Sequence, residues 1–134
     1  MPAACDSYSL LITDDDRTTR ETLREILEPS GYRTILAGSG EEAVEIASNN
    51  EVHLALMDMH LPRISGLEAL SLVRQFKARL PSILLTADRD EELYRRALSA
   101  QVYCVLAKPV SRDLVIHVVS RALAKFYSIE RPIE

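Results

Sequence analysis

The sequence predicts an α/β protein in which five parallel strands form one sheet, flanked by five helices. Two observations carry this. Five short apolar runs alternate with stretches whose apolar residues recur at helical spacing, joined by short links. Four of the runs also stop at charged or hydroxyl groups: 10–13 at Asp14, Asp15 and Asp16, 52–57 at Asp58, 83–85 at Thr86, and 102–107 at Lys108. In a parallel sheet those ends share one rim, where the ligand crevice of such folds opens.

In chain order, 10–13 is a strand with Tyr8 and Ser9 in front of it. Asp16 or Thr18 caps the next helix, Thr18 with Glu21 matching a capping box, and Leu23, Ile26 and Leu27 make its buried stripe. Pro29, Ser30 and Gly31 end it, and 32–37 is the second strand. Ser39 with Glu42 opens a helix to about Asn49 that turns Ala43, Val44 and Ala47 inward. After the Asp58 strand, Pro62 stiffens the loop 59–65, and Ser65 with Glu68 opens a helix from Gly66 to about Ala78, with Leu67, Leu70 and Val73 inward. Pro81 introduces the strand 82–86. Asp88 with Glu91 caps a charged helix to about Ser99 whose thin apolar stripe marks it as loosely held. The strand 102–107 and Lys108-Pro109 precede a helix from Ser111, where Val115, Val118, Val119, Ala122, Leu123 and Phe126 fall at helical intervals. The folded domain is read as 1–126, and 127–134, with Pro132, as a tail or the start of a linker.

A length of 134 residues suits one domain. A net charge of −4 with no long Lys/Arg run argues against direct nucleic-acid contact. Residues 1–9 lack a basic segment followed by an apolar one, and no long apolar stretch follows, so a cytoplasmic protein with no membrane partner is expected. Cys5 and Cys104 lack metal-like spacing and read as free thiols, and His53, His60 and His117 are too scattered for a ligand set.

Asp14, Asp15 and Asp58 at one rim concentrate negative charge, which is unfavourable unless a cation joins them. Magnesium suits such a site, since it takes few carboxylates, several waters and a phosphate oxygen. Lys108 supplies a mobile positive charge and Thr86 a hydroxyl donor. These are parts for phosphoryl transfer.

The same residues resemble the receiver domain of two-component response regulators over nearly the whole chain. The match comprises Asp14-Asp15 after the first strand, Asp58 after the third, Met59, Pro62 and Gly66 in the next loop, Thr86-Ala87 after the fourth and Lys108-Pro109 after the fifth. The resemblance implies a flavodoxin-like doubly wound sheet of order 2-1-3-4-5. It implies that Asp58 accepts a phosphoryl group from a sensor histidine kinase, a histidine phosphotransferase or a small donor, and that the domain switches conformation while catalysing at most its own phosphorylation and dephosphorylation. Magnesium would be held by Asp15 directly, Asp14 through water, Asp58 and the Met59 carbonyl. Thr86 and Lys108 would contact the phosphoryl group, with Lys108-Pro109 cis and His60 and Asp88 bordering the site and tuning the phosphoryl lifetime. The donor would dock near the first helix and the rim. The signal would leave through the fourth helix, fifth strand and fifth helix, a face open to phosphorylation-linked homodimerisation. The effector is left unspecified, and a stand-alone receiver and a piece of a longer regulator both fit.

Two departures stand out. Val105 occupies the position where receivers carry a switch aromatic, and Tyr103, expected on the same strand face, sits about 6–7 Å earlier. Gln101-Val102 replaces the usual Gly-Ala, so a positive φ there would cost roughly 1 kcal/mol. Two rival functions are weighed. A haloacid dehalogenase-like phosphatase matches Asp14-x-Asp16-x-Thr18, with Asp14 as nucleophile and Asp16 as acid, but leaves Asp58 idle and lacks a later acidic cluster. A phosphorylation-independent interaction module is favoured by Val105 alone.

Overall fold

Alternation along each strand builds two cores. Leu10, Ile12, Leu54, Leu56, Ile83 and Leu85 join one apolar cluster, while Leu11, Ala55, Met57 and Leu84 join another on the opposite face of the sheet. Strands buried on both faces need cover on both, which a parallel sheet obtains from its crossover helices. The computed structural model describes residues 8–88 and 90–127. The strands are β1 (Ser9–Thr13), β2 (Arg33–Ala37), β3 (Leu54–Asp58), β4 (Ser82–Thr86) and β5 (Cys104–Ala107). All pairings are parallel, and the order is β2-β1-β3-β4-β5, as expected.

The helices are α1 (Arg17–Leu27), α2 (Gly40–Asn49), α3 (Gly66–Val73), α4 (Glu91–Ser99) and α5 (Arg112–Tyr127), with a 3-10 turn over Glu28–Ser30 after α1. Leu23, Ile26 and Leu27 of α1 and Val115, Val119 and Leu123 of α5 fill the first cluster. Ala43 and Ala47 of α2, Leu70 and Val73 of α3 and Ala97 of α4 fill the second. Among the described residues, no helix is long and apolar enough to cross a membrane.

Several boundaries differ from the sequence reading. Asp16 alone caps α1, its side chain accepting from the Thr18 N–H, while Glu21 pairs with Arg24 instead of closing a box with Thr18. Ser39 Oγ accepts from the Glu42 N–H, but the Glu42 carboxylate takes the Gly38 N–H, one residue early. The Ser65–Glu68 box is complete in both directions. The helix expected to run to Ala78 stops at Val73, because the next amides tighten onto carbonyls three residues back, Gln75 to Leu72 and Phe76 to Val73, both at 3.1 Å. The cap of α4 is Asp90, not Asp88, whose side chain is engaged elsewhere. Strand β5 starts at Cys104, since Gln101 and Val102 complete the end of α4, and β2 starts at Arg33. Tyr127, placed by sequence in the tail, is the last residue of α5, and its hydroxyl donates to the His53 carbonyl at 2.7 Å. The rest of that tail and Cys5 lie outside the described residues.

Candidate functional site

Strand register gathers the polar residues. Thr13 pairs with Met57, so Asp14, one residue beyond β1, arrives beside Asp58 at the end of β3. Asp58 pairs with Leu85, which places Thr86 one step further on, and Thr86 pairs with Ala107, just before Lys108. The Lys108 ammonium sits between two carboxylates, 2.7 Å from Asp14 Oδ2 and 3.0 Å from Asp58 Oδ2. The Lys108–Pro109 peptide bond is cis, as the resemblance implied.

Each carboxylate is also held from the other side. Asp14 Oδ1 accepts the Asp16 N–H at 2.9 Å, and Asp58 Oδ1 accepts the His60 N–H at 3.0 Å. Arg20 of α1 donates to the Asp14 carbonyl at 2.7 Å. Gly66 packs so close to the Asp58 backbone that a Cβ there would collide with the Asp58 carbonyl, and its N–H donates to the Met59 carbonyl at 3.0 Å. Glycine is therefore needed for α3 to approach the end of β3. Thr86 Oγ1 accepts the Asp88 N–H at 3.0 Å, which leaves its own proton free to donate into the site.

Burial raises the Asp58 carboxyl above its usual range, an effect that the His60 N–H and Lys108 only partly offset. Burial alone would lower Lys108, but its hydrogen bonds to Asp14 and Asp58 more than reverse this, so it is held charged. One ammonium does not balance three carboxylates. Ligand oxygens of Asp14, Asp15 and Asp58 lie within 4.8 Å of one another, with Asp14 and Asp58 buried and Asp15 exposed to solvent. The Met59 carbonyl uses one lone pair on Gly66 and keeps the other. This all-oxygen donor set, open to water on the Asp15 side, fits a hard divalent cation.

The sequence profile of the response regulator receiver domain matches residues 10–120. The chain belongs to that family. Relatives include a cyclic di-GMP phosphodiesterase from Thermotoga maritima, 36% identical over 86% of this chain and 31% of its own length. The transcriptional regulatory protein PdtaR from Mycobacterium tuberculosis is 35% identical over 90% of this chain and 58% of its own. The chain thus spans well under two thirds of these curated relatives. Among solved structures, a CheY-like receiver domain protein from Methanospirillum hungatei superposes with a TM-score of 0.86 at 26% identity, covering 90% of this chain and 97% of that one.

Within this receiver domain, Asp14, Asp15, Asp58, Met59, Thr86 and Lys108 all lie at the rim where the sequence placed them. Asp16 serves as the α1 cap, bonded to the Thr18 N–H and to Thr19 Oγ1, and stands outside the Asp14–Asp15–Asp58 cluster. Val105 sits at the position expected of the aromatic and packs against the α2–α3–α4 cluster. Tyr103 does not share its face: it lies before β5, against the α1–α5 cluster, with Lys125 Nζ 5.9 Å from its ring. Sequence reasoning missed Arg20 and the pairing of His60 Nε2 with Asp88 Oδ2 at 2.8 Å. Neither carries a local signal, because both depend on which loops the sheet brings together. The hollow lined by Val52, His53, Lys77, Leu80 and Tyr127 contains none of the acidic cluster and takes no part in this chemistry.

Proposed function

We propose that Asp58 is the phosphoacceptor of this receiver domain. The observation that carries the reading is Lys108 bridging Asp14 and Asp58, since a lysine already on the attacking carboxylate is placed to follow the phosphoryl group as it arrives. An Asp58 carboxylate oxygen attacks the phosphorus of a phosphohistidine; the O–P bond forms, the N–P bond breaks, and the imidazole nitrogen leaves with the electron pair. Lys108 exchanges a carboxylate contact for a phosphoryl oxygen, and the Thr86 hydroxyl donates to another. Asp15, Asp58 and the Met59 carbonyl, with Asp14 through water, would hold magnesium, which would supply charge neutralisation at the transferring oxygens. Asp58 exchanges one negative charge for about two, which draws Thr86 and the following loop inward and shifts a two-state equilibrium.

The donor is a sensor histidine kinase or a histidine phosphotransferase, met at the groove that Thr18, Thr19, Thr22, Pro109 and Val110 line beside Lys108. The free Cys104 thiol accords with a reducing cytoplasm. Output leaves through α4, β5 and α5, with a homodimer formed on phosphorylation. Gel filtration with and without a phosphoryl mimic tests the dimer, and an unchanged monomer mass would refute it.

Incubation with magnesium and acetyl phosphate, read by intact mass, tests the chemistry. One phosphoryl group is gained by the wild type, none by Asp58→Asn, and none once magnesium is chelated. A gain that survives Asp58→Asn or chelation would sink the assignment, and a gain lost only in Asp14→Asn would favour the phosphatase reading.

A further inference from the structure

Arg74, which closes α3, reaches into a different part of the fold. Its Nη1 donates to the Ala100 carbonyl, and its Nη2 donates to the Gln101 carbonyl at 2.9 Å and to Ser82 Oγ at 3.2 Å. One side chain thus joins α3, the start of β4 and the C-terminal end of α4.

The way α4 ends explains why a guanidinium sits there. The Val102 N–H donates to the Ala97 carbonyl at 3.3 Å and the Gln101 N–H to the Leu98 carbonyl at 3.0 Å, the two bonds of a Schellman motif. Gln101, at φ 61°, occupies the left-handed position that glycine usually takes, while Val102 and Ala97 are both buried beneath it. The final carbonyls lack helical partners and lie at the negative end of the helix dipole. Arg74 satisfies the one on the capping residue Ala100 and, at the same time, the Gln101 carbonyl just beyond the helix, with charge-assisted bonds that a single ammonium cannot reproduce in the same fork geometry. Its Nε is buried with no hydrogen-bond partner among the described residues, so the outer nitrogens anchor the group.

The rest of α4 is lightly held. Ala97 is its one buried residue, and Leu98 is 67% exposed. At its other end, Asp90 caps the helix by accepting the Glu92 N–H at 2.9 Å, and the chain leads back to Asp88 and Thr86. We infer that Arg74 is a clamp that makes the Ala100–Gln101 end the fixed point of α4, so that movement of the Thr86–Asp88 loop pivots the helix about that end. The pivot rests on the phosphoryl function proposed above. It provides a relay that does not require an aromatic side chain at Val105.

The clamp is tested without any ligand, by amide hydrogen exchange in wild type, Arg74→Gln, Arg74→Lys and Gln101→Gly. In Arg74→Gln the Ala97, Ala100 and Gln101 amides exchange about 5- to 100-fold faster, while Leu11 and Leu56 keep their wild-type rates. Arg74→Lys lies between, and serves alone if the glutamine variant does not fold. Gln101→Gly does not speed exchange at Ala97 or Ala100, because Arg74 binds backbone carbonyls and glycine relieves the left-handed strain at that position. Wild-type rates at Ala97, Ala100 and Gln101 in both Arg74 variants would overturn the clamp.

The pivot is read from fluorotyrosine at Tyr94 in α4 and Tyr103 beyond the clamped end, with Tyr8 as a remote reference, on adding magnesium and beryllofluoride. Tyr94 shifts and Tyr103 does not in the wild type; both shift in Arg74→Lys. A wild-type Tyr103 that moves as much as Tyr94 would overturn the pivot. So would silence at every tyrosine in a protein whose Asp58 does gain a phosphoryl group. Silence together with no phosphoryl gain would remove the proposed function and the pivot with it, leaving the exchange data to decide the clamp.

Discussion

His60 and Asp88 join two loops of the candidate site, with Nε2 of one 2.8 Å from Oδ2 of the other. The His60 N–H holds Asp58 Oδ1, and the Asp88 N–H holds Thr86 Oγ1, so the pair closes a chain of contacts from the acceptor to the hydroxyl. The side chains are 52% and 55% exposed, which makes them a surface pair of small energetic weight. Replacing either with alanine is therefore expected to change unfolding free energy by less than about 1 kcal/mol. The phosphoryl lifetime on Asp58 should nevertheless change, and by the same factor in both single variants and the double variant, because each breaks the same link. Independent effects that multiply in the double variant would show that the two residues act separately.

Magnesium should stabilise the domain through the site. A ligand that binds only the folded state at a hundred times its dissociation constant adds about 2.7 kcal/mol. Thermal unfolding with and without magnesium is expected to show a rise in Tm that Asp15→Asn and Asp58→Asn each diminish. An equal rise in Asp15→Asn would remove Asp15 from the ligand set.

His53 should make the fold sensitive to mild acid. Its ring lies between Tyr8 and Tyr127, centroids 5.2 and 5.5 Å away, and its Nδ1 accepts the Ser9 N–H, which requires the neutral form. Burial lowers its pKa, although Glu51 pulls the other way. With the folded value depressed below an unfolded value of about 6.5, the stabilisation is present above that pH and is lost as pH falls toward the folded value. Urea midpoints at successively lower pH, compared with His53→Gln, isolate this contribution. A variant with the same decline would show that other groups cause it.

Gln101→Gly should strengthen the fold. Left-handed backbone at a residue with a Cβ costs roughly 1–2 kcal/mol, and glycine gives back about 0.4–1 kcal/mol through the unfolded chain. A net gain of about 0.5–1 kcal/mol follows. Denaturant unfolding checks it, and a loss of stability would mean that the glutamine side chain makes a contribution larger than the strain.

Much of this protein was legible in the chain alone. Short apolar runs placed the strands, and the residues that end them, Asp14, Asp58, Thr86 and Lys108, marked the candidate site. The Ser65–Glu68 box also formed as read. These signals are short in range, because apolar runs, helix periodicity and capping each involve residues a few positions apart. Tertiary structure decided what such signals cannot reach. Lys108 meets Asp14 and Asp58 across separations of 94 and 50 residues, and Arg74 meets Ala100 across 26. Nothing local told that Asp88 would turn to His60 and leave the α4 cap to Asp90, or that Tyr103 would pack on the face opposite Val105. The sequence by itself determined which residues reach the rim. Only the parallel crossovers, by setting which loops become neighbours, decided how they pair there.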